Sequence, residues 1–136
     1  MKYRTIGTDP KTRREVSVFA LGAMLFGSVT DEKTSLPALT LVAYSPLLRG
    51  AYVRQDKPLP ADYDHPGTPP RLAALRAVAR ETGASPNQVV LAWQLGGGLP
   101  VIPLVGMSSV AQLEENLAAV DLELTPEQRE RLDAAH

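Results

Sequence analysis

Three short apolar runs, separated by stretches of helical periodicity, organise this chain. Residues 19–26 (FALGAMLF), 39–45 (LTLVAYS) and 99–105 (LPVIPLV) are almost continuously apolar and are bounded by glycine or proline. Runs this short predict strands; the first, flanked by glycines, is of the kind buried on both faces of a parallel sheet. Ahead of them, Tyr3, Thr5 and Ile6 on one side and Val16 and Val18 on the other predict a small hairpin. Its turn runs through Gly7, Thr8, Asp9 and Pro10, with Lys11, Arg13 and Arg14 at the tip. The polar stretch 28–35 has room for one or two helical turns at most, and Pro37 interrupts any continuation.

Helical spacing begins at Arg71, from which Leu72, Leu75, Val78 and Ala79 fall on one face before Gly83 supplies a stop. Ser85, Pro86 and Gln88 then form a capping-box signature with proline at the first helical position. The helix it opens carries Val89, Val90, Ala92, Trp93 and Leu95 to a stop at glycines 96–98. Ser109 with Gln112, and Thr125 with Gln128, repeat the signature. They predict a helix through Leu113, Leu117 and Val120 and a last one with Leu132 inward. Between the second run and the first helix, residues 49–70 predict a long loop, with five prolines from Pro58 to Pro70. Strand, helices, strand, helices is the rhythm of an α/β fold.

Composition narrows the function classes. The 136 residues are 44% hydrophobic and 21% charged, enough to bury a core, and 14 basic against 15 acidic side chains leave no field that would draw nucleic acid or an anionic membrane. There is no cysteine, which removes disulfides, thiolate metal sites and thiol nucleophiles together. The run 16–29 is broken by Ser17, Gly22, Gly27 and Ser28, so no membrane span or signal peptide is expected, and a cytoplasmic location is.

Several catalytic signatures fail. Gly22 and Gly27 have phosphate-loop spacing, but Ser28 and Val29 follow where Lys and Ser or Thr are required. Glycines 96–98 end a helix instead of opening one. Asp62, Asp64 and His65 have no second cluster with which to complete a metal shell. No nucleophile elbow surrounds Ser28 or Ser45.

The combination of segments is nonetheless specific. The opening 2–7 (KYRTIG) with 16–27 (VSVFALGAMLFG) resembles the bottom hairpin and first barrel strand of an aldo-keto reductase. Residues 41–47 (LVAYSPL) resemble that family's seventh strand, 85–93 the helix before its eighth, and 101–106 (VIPLVG) the eighth strand. Residues 112–116 (QLEEN) and 122–127 (LELTPE) resemble its closing helices. The resemblance implies an NADP(H)-dependent carbonyl reductase lineage on a (β/α)8 TIM barrel, whose Asp, Tyr, Lys and His tetrad lies between the first and seventh strands. No position here matches a tetrad member. A closed barrel takes about 250 residues. The expected architecture is therefore a partial α/β barrel, strands one, seven and eight plus the hairpin, as a single incomplete domain with 1–35 as one part and 36–136 as the other.

On the cofactor side, the resemblance implies that Tyr44 stacks on a nicotinamide and that Ser45, Leu47 and Gly50 wrap a pyrophosphate. Gly106, Met107 and Ser108 would hold a 2′-phosphate at a helix N-terminus, and Glu115 and Asn116, with Gln112 nearby, would meet the adenine. Family members commonly carry an arginine or lysine in the 2′-phosphate turn, whereas this chain has no basic residue between Arg80 and Arg129, which leaves NADP or NAD open. Simpler accounts also fit: Tyr44 as a packed aromatic, Gln112 as a capping residue, Asn116 as a solvent-facing one.

Three functions follow. One is a shortened reductase that keeps part of a dinucleotide surface without the tetrad. Another is a binding or scaffold protein acting through its sheet and helices. The third is a repurposed non-redox enzyme using Tyr44, Asp62, Asp64 and His65. Strands left with open edges and an uncovered inner face predict a homo-oligomer or a protein partner.

Overall fold

In the computed structural model, the described residues are 3–6, 14–17 and 41–136. The first two segments are strands β1 (Tyr3–Ile6) and β2 (Arg14–Ser17), paired antiparallel with Tyr3 opposite Ser17 and Ile6 opposite Arg14. Arg14 is thus a strand residue. The hairpin's turn, Lys11 and Arg13, Val18, the strand expected at 19–26, the polar stretch 28–35 and the connection to residue 40 lie outside the described residues.

From residue 41 the order is β3 (Leu41–Tyr44), α1 (Thr68–Thr82), α2 (Pro86–Leu95), β4 (Val101–Leu104), α3 (Val110–Ala118) and α4 (Pro126–Asp133), with short 3-10 turns at Leu48–Gly50, Ala61–Tyr63 and Ala119–Asp121. β3 and β4 pair in parallel, Leu41 opposite Val101 and Tyr44 opposite Leu104. The α/β rhythm is present, and a parallel pair joined through two helices satisfies the length a crossover needs.

Helix boundaries follow local chemistry. α1 begins at Thr68, three residues before the apolar periodicity, because Pro69 and Pro70 occupy a first turn whose amides need no intrahelical partner. Its expected loop is correspondingly shorter and contains two 3-10 turns. Gly83 closes α1 in the left-handed region at φ 69°. Full capping boxes form at Ser85/Gln88 and Thr125/Gln128. The Ser109 signature is only half realised. Ser109 Oγ accepts from Gln112 N, but Gln112 Oε1 accepts from Ser108 N at 2.8 Å instead of from Ser109 N. Ser109 has φ −148°, against −72° at Ser85 and −65° at Thr125, which turns its own amide away from the glutamine.

The core lies where α2 meets its neighbours. Leu75, Val78 and Ala79 of α1 pack on Val89 and Ala92 of α2 and on Leu124, with Leu132 and Tyr52 at the margin. A second cluster joins Leu47, Leu91 and Ala119, and Val90 touches both. α4 buries no residue fully and is fastened by polar contacts instead. Trp93 Nε1 donates to Asp133 Oδ1 at 2.6 Å, Arg71 Nε to Ala135 O at 3.0 Å, and Arg129 caps the C-terminal carbonyls of Ala92 and Trp93.

Strand β4 alternates half-buried with exposed positions, and Ile102 and Leu104 are exposed. Among the described residues the helices cover one face of a two-stranded sheet. The apolar stripe expected inward on α3 is exposed as well. Val110, Leu113, Leu117 and Val120 are 38–70% exposed, while Glu115 and Asn116 on the opposite side are half-buried. Its polar face, with Gln112, Glu115 and Asn116, borders a cavity.

Candidate functional site

The C-terminal ends of β3 and β4 and the first turns of α2 and α3 surround a cavity of about 430 Å³, within the range of small-molecule sites. Ser45, Leu47 and Gly50 reach it from the segment after β3. Gly106, Met107 and Ser108 reach it from the turn after β4, and Gln112, Glu115 and Asn116 from α3. Residues drawn from a 72-residue span of sequence thus share one concavity. Tyr44 does not line it: its ring, at the end of β3, is 81% exposed. The packed-aromatic account of Tyr44 is thereby excluded.

The segment after β3 is shaped by an unusual backbone. Ser45, Leu48 and Arg49 have φ of 53°, 46° and 58°, and Gly50 has 87°. Left-handed residues other than glycine cost about 1–2 kcal/mol each, so this coil is held by its surroundings, notably the buried Leu47. Hydrogen bonds from Leu48 N to Ser45 O and from Gly50 N to Leu47 O tighten it. Periodicity and composition carry no signal for such a coil.

The coil and the loop after it deliver what the turn after β4 lacks. Arg49, Arg54 and Lys57 line the same cavity, three cations against the single carboxylate of Glu115. These are functional candidates that motif matching missed, because it sought a basic residue near Gln112 and the fold brings the bases from elsewhere. Arg54 is partly neutralised. Its guanidinium pairs with Asp56, Nε to Oδ1 at 2.9 Å, and that hydrogen bond holds the Asp56 carboxyl below its ordinary range while raising the Arg54 pKa.

The α2 and α3 side is polar and ordered. Ser85 Oγ, the α2 cap, donates to Glu115 Oε1, and Gln88 Nε2 donates to the Glu115 carbonyl at 3.0 Å. Glu115 is therefore clamped by both members of a capping box. Gln112 Oε1 is occupied by the Ser108 amide and hydroxyl, so that amide is engaged within the protein. Asn87, at the second position of α2, is the buried polar residue among those described, and its Oδ1 has no hydrogen-bond partner. An unmatched buried acceptor costs roughly 1–3 kcal/mol, so it marks a place where a donor is wanted.

Asp62, Asp64 and His65 are exposed and line neither this cavity nor a common site with Tyr44. His65 Nδ1 accepts from Gly67 N at 3.1 Å, a local turn contact. Among the described residues no three acidic or histidine side chains converge as a metal site would require, and no helix is long and apolar enough to cross a membrane. A second hollow of about 450 Å³ lies between Tyr52, Leu72, Trp93 and Leu132. Burial, with a smaller contribution from Tyr63, pushes the Tyr52 phenol up.

Comparison with known proteins now defines the class. A family model described as the aldo/keto reductase family matches residues 38–136. An uncharacterized oxidoreductase of Mycobacterium tuberculosis is 41% identical over 109 residues, covering 70% of this chain and 33% of its own. An aldo-keto reductase of Strobilurus tenacellus is 35% identical over 105 residues, covering 66% and 31%. Pyridoxine 4-dehydrogenase of Escherichia coli is 44% identical over 66 residues, covering 48% and 23%. A thermostable aldo-keto reductase solved with the inhibitor epalrestat superimposes with TM-score 0.53 at 31% identity, over 72% of this chain and 30% of that one.

The chain belongs to the aldo/keto reductase family. It spans about a third of the length of the curated relatives it matches. Its β3–α1–α2–β4–α3–α4 unit is consistent with part of the (β/α)8 fold that the structural neighbour implies.

Proposed function

We propose that this chain binds a nicotinamide dinucleotide through the cavity at the strand ends and does not by itself reduce carbonyl compounds. One observation carries the binding: Ser45, Leu47, Gly50, Gly106, Ser108, Gln112, Glu115 and Asn116, singled out from sequence as cofactor residues, line one cavity that also holds Arg49, Arg54 and Lys57. The cations meet phosphate charge, the left-handed coil sets the backbone close to it, and the clamped Glu115 and half-buried Asn116 offer hydrogen bonds to a base. A nicotinamide held there would bring hydride chemistry, and Tyr44, exposed beside Ser45, would offer its ring an aromatic face. NADP is the expected form, since three cations suit an additional phosphate, and NAD is the comparison.

The catalytic half rests on the length argument. This chain runs from the segment resembling a first strand to the one resembling a seventh in fewer than twenty residues, with no counterpart of the Asp, Tyr, Lys and His tetrad. Residues 36–136 hold the cofactor surface, and 1–35 is the remnant of the family's opening. NADPH titration followed by its own fluorescence, at low and high salt, tests binding, and aldehyde-dependent NADPH oxidation tests catalysis. Saturable, salt-weakened binding without turnover is expected. Turnover well above buffer background overturns the catalytic half, and no binding overturns the first.

A second reading, favoured by the exposed α3 stripe and by Ile102 and Leu104, is that the chain works as an assembly, a homo-oligomer or a complex with a protein covering these faces. Light scattering after size exclusion distinguishes it: a monomer at micromolar concentration overturns self-association.

A further inference from the structure

The second hollow, between α1, α2 and α4, is separate from the cavity at the strand ends and shares only Pro46 with it. Its volume of about 450 Å³ is again that of a small-molecule site. The lining is largely apolar: Leu72, Val90 and Leu132 are half-buried, and Tyr52 and Trp93 add aromatic rings. One cation and one anion complete it, Arg71 and Asp133, in contrast to the cationic excess of the first cavity. These two do not neutralise each other, since the ion pairs among the described residues are Arg54 with Asp56 and Arg131 with Glu81. Each is held by a neutral partner instead. Arg71 Nε donates to Ala135 O at 3.0 Å, and Asp133 Oδ1 accepts from Trp93 Nε1 at 2.6 Å. Both charges are thereby fixed against the end of α4, the guanidinium on a carbonyl two residues beyond the carboxylate. Among the described residues the terminal nitrogens of Arg71 and Oδ2 of Asp133 have no protein partner. Burial keeps the Tyr52 phenol protonated at neutral pH, a further donor in the same lining. A cation alone would draw anions and an anion alone would draw amines, whereas the two held apart match a head group that carries both charges beside an apolar body.

We propose that this hollow binds an α-amino acid with an apolar side chain, its carboxylate at Arg71, its ammonium at Asp133 and its side chain between Leu72, Trp93 and Leu132. The two charges of an α-amino acid sit on one carbon, which suits a cation and an anion presented from neighbouring points of the α4 end. Arg71 and Asp133 stand at an exposed rim, where one ion pair contributes little, so the head group is selected by meeting both. Burial of the side chain against the apolar wall supplies most of the affinity.

Trp93 is the single tryptophan of the chain and lines the hollow, so its emission reports occupancy. Three probes are titrated against the full chain, with affinities confirmed by calorimetry: L-phenylalanine, N-acetyl-L-phenylalanine, which lacks the ammonium, and L-phenylalaninamide, which lacks the carboxylate. Phenylalanine is expected to bind saturably and about fivefold more tightly than either derivative, the upper range for one exposed ion pair. Asp133→Asn keeps an acceptor for Trp93 while removing the charge, and is expected to weaken phenylalanine but not its N-acetyl derivative. Arg71→Gln is expected to weaken phenylalanine but not the amide. A variant that weakens all three probes alike shows a merely structural charge and overturns the assignment. So does the lack of a saturable response to phenylalanine in the unaltered chain, and so do equal affinities for the three probes, which describe an apolar hollow without a head-group site.

Discussion

Ser85 Oγ donates to Glu115 Oε1 at 2.5 Å across 30 residues of sequence, while the same oxygen accepts from Gln88 N at 3.2 Å. A helix cap thus doubles as the support of a cavity residue. The local motif at the start of α2 fixes where α3 presents its polar face, and so ties backbone chemistry to the candidate site.

Replacing Ser85 by alanine removes both roles. Loss of the cap is expected to lower stability by about 1 kcal/mol. Loss of the Glu115 clamp is expected to weaken NADPH binding several-fold as the carboxylate becomes mobile. Urea denaturation and NADPH titration read the two effects separately, and a variant that loses stability with unchanged affinity would show that Glu115 needs no support.

Gly83 closes α1 at φ 69°, and a Cβ built there meets nothing within 4 Å. Space is therefore not at issue, and Gly83→Ala isolates the backbone preference. It is expected to cost about 1 kcal/mol and to leave nucleotide affinity unchanged. Thermal denaturation checks it; an unchanged Tm would mean that the α1 terminus relaxes freely.

Asp56 competes with ligand phosphate for Arg54. Asp56→Asn is expected to raise NADPH affinity severalfold at low salt, with the gain shrinking as ionic strength rises. The same release should occur in the unaltered chain only when acid protonates Asp56, below its ordinary range, because Arg54 holds that carboxyl ionised. Titrations at two salt concentrations decide it, a decrease in affinity being the contrary result.

Glu81 links α1 to α4, pairing with Arg131 and accepting from Gln128 Nε2 at 3.3 Å. The Arg131 hydrogen bond, then that from Gln128, holds its carboxyl below the ordinary value of 4.5. The folded-state pKa is depressed, so the contribution to stability is present above pH 4.5 and is lost as pH falls through the depressed value. Glu81→Gln is expected to flatten the acid limb of the stability curve below pH 4.5 while changing little at neutral pH, where an exposed pair contributes little. Denaturation midpoints across pH 3 to 7 check it.

Leu117 stands in the exposed stripe of α3 and Glu115 does not. Leu117→Glu is expected to reduce self-association without loss of nucleotide binding, because the substitution lies on the face opposite the cavity. Sedimentation or light scattering reads the first and NADPH titration the second.

Much of the local structure was legible from the chain. The capping boxes at Ser85 and Thr125, the stop at Gly83 and the strands at 41–44 and 101–104 each depend on neighbours within a few residues, and each formed as the pattern predicts. The α1 start was obscured by prolines, which interrupt helices in their interior yet are favoured in the first turn. The Ser109 box was half wrong because a reciprocal cap depends on the backbone angle at the cap itself, and the side-chain pattern does not specify it. Eight of the nine residues that the resemblance singles out line one cavity; Tyr44 does not.

The sequence by itself determined the family, most of the helix ends and the strand segments, since these follow from residue type at short spacing and from matched motifs. Tertiary structure decided which charges meet. Arg49, Arg54 and Lys57 lie more than 50 residues from Gln112, Glu115 and Asn116 on α3, and their approach depends on a coil of left-handed residues and on the packing of Leu47 against Leu91 and Ala119. It also decided that α3 faces the cavity with its polar side and leaves its apolar side open. Periodicity defines a face but not what it meets, because that depends on which distant elements are present to cover it.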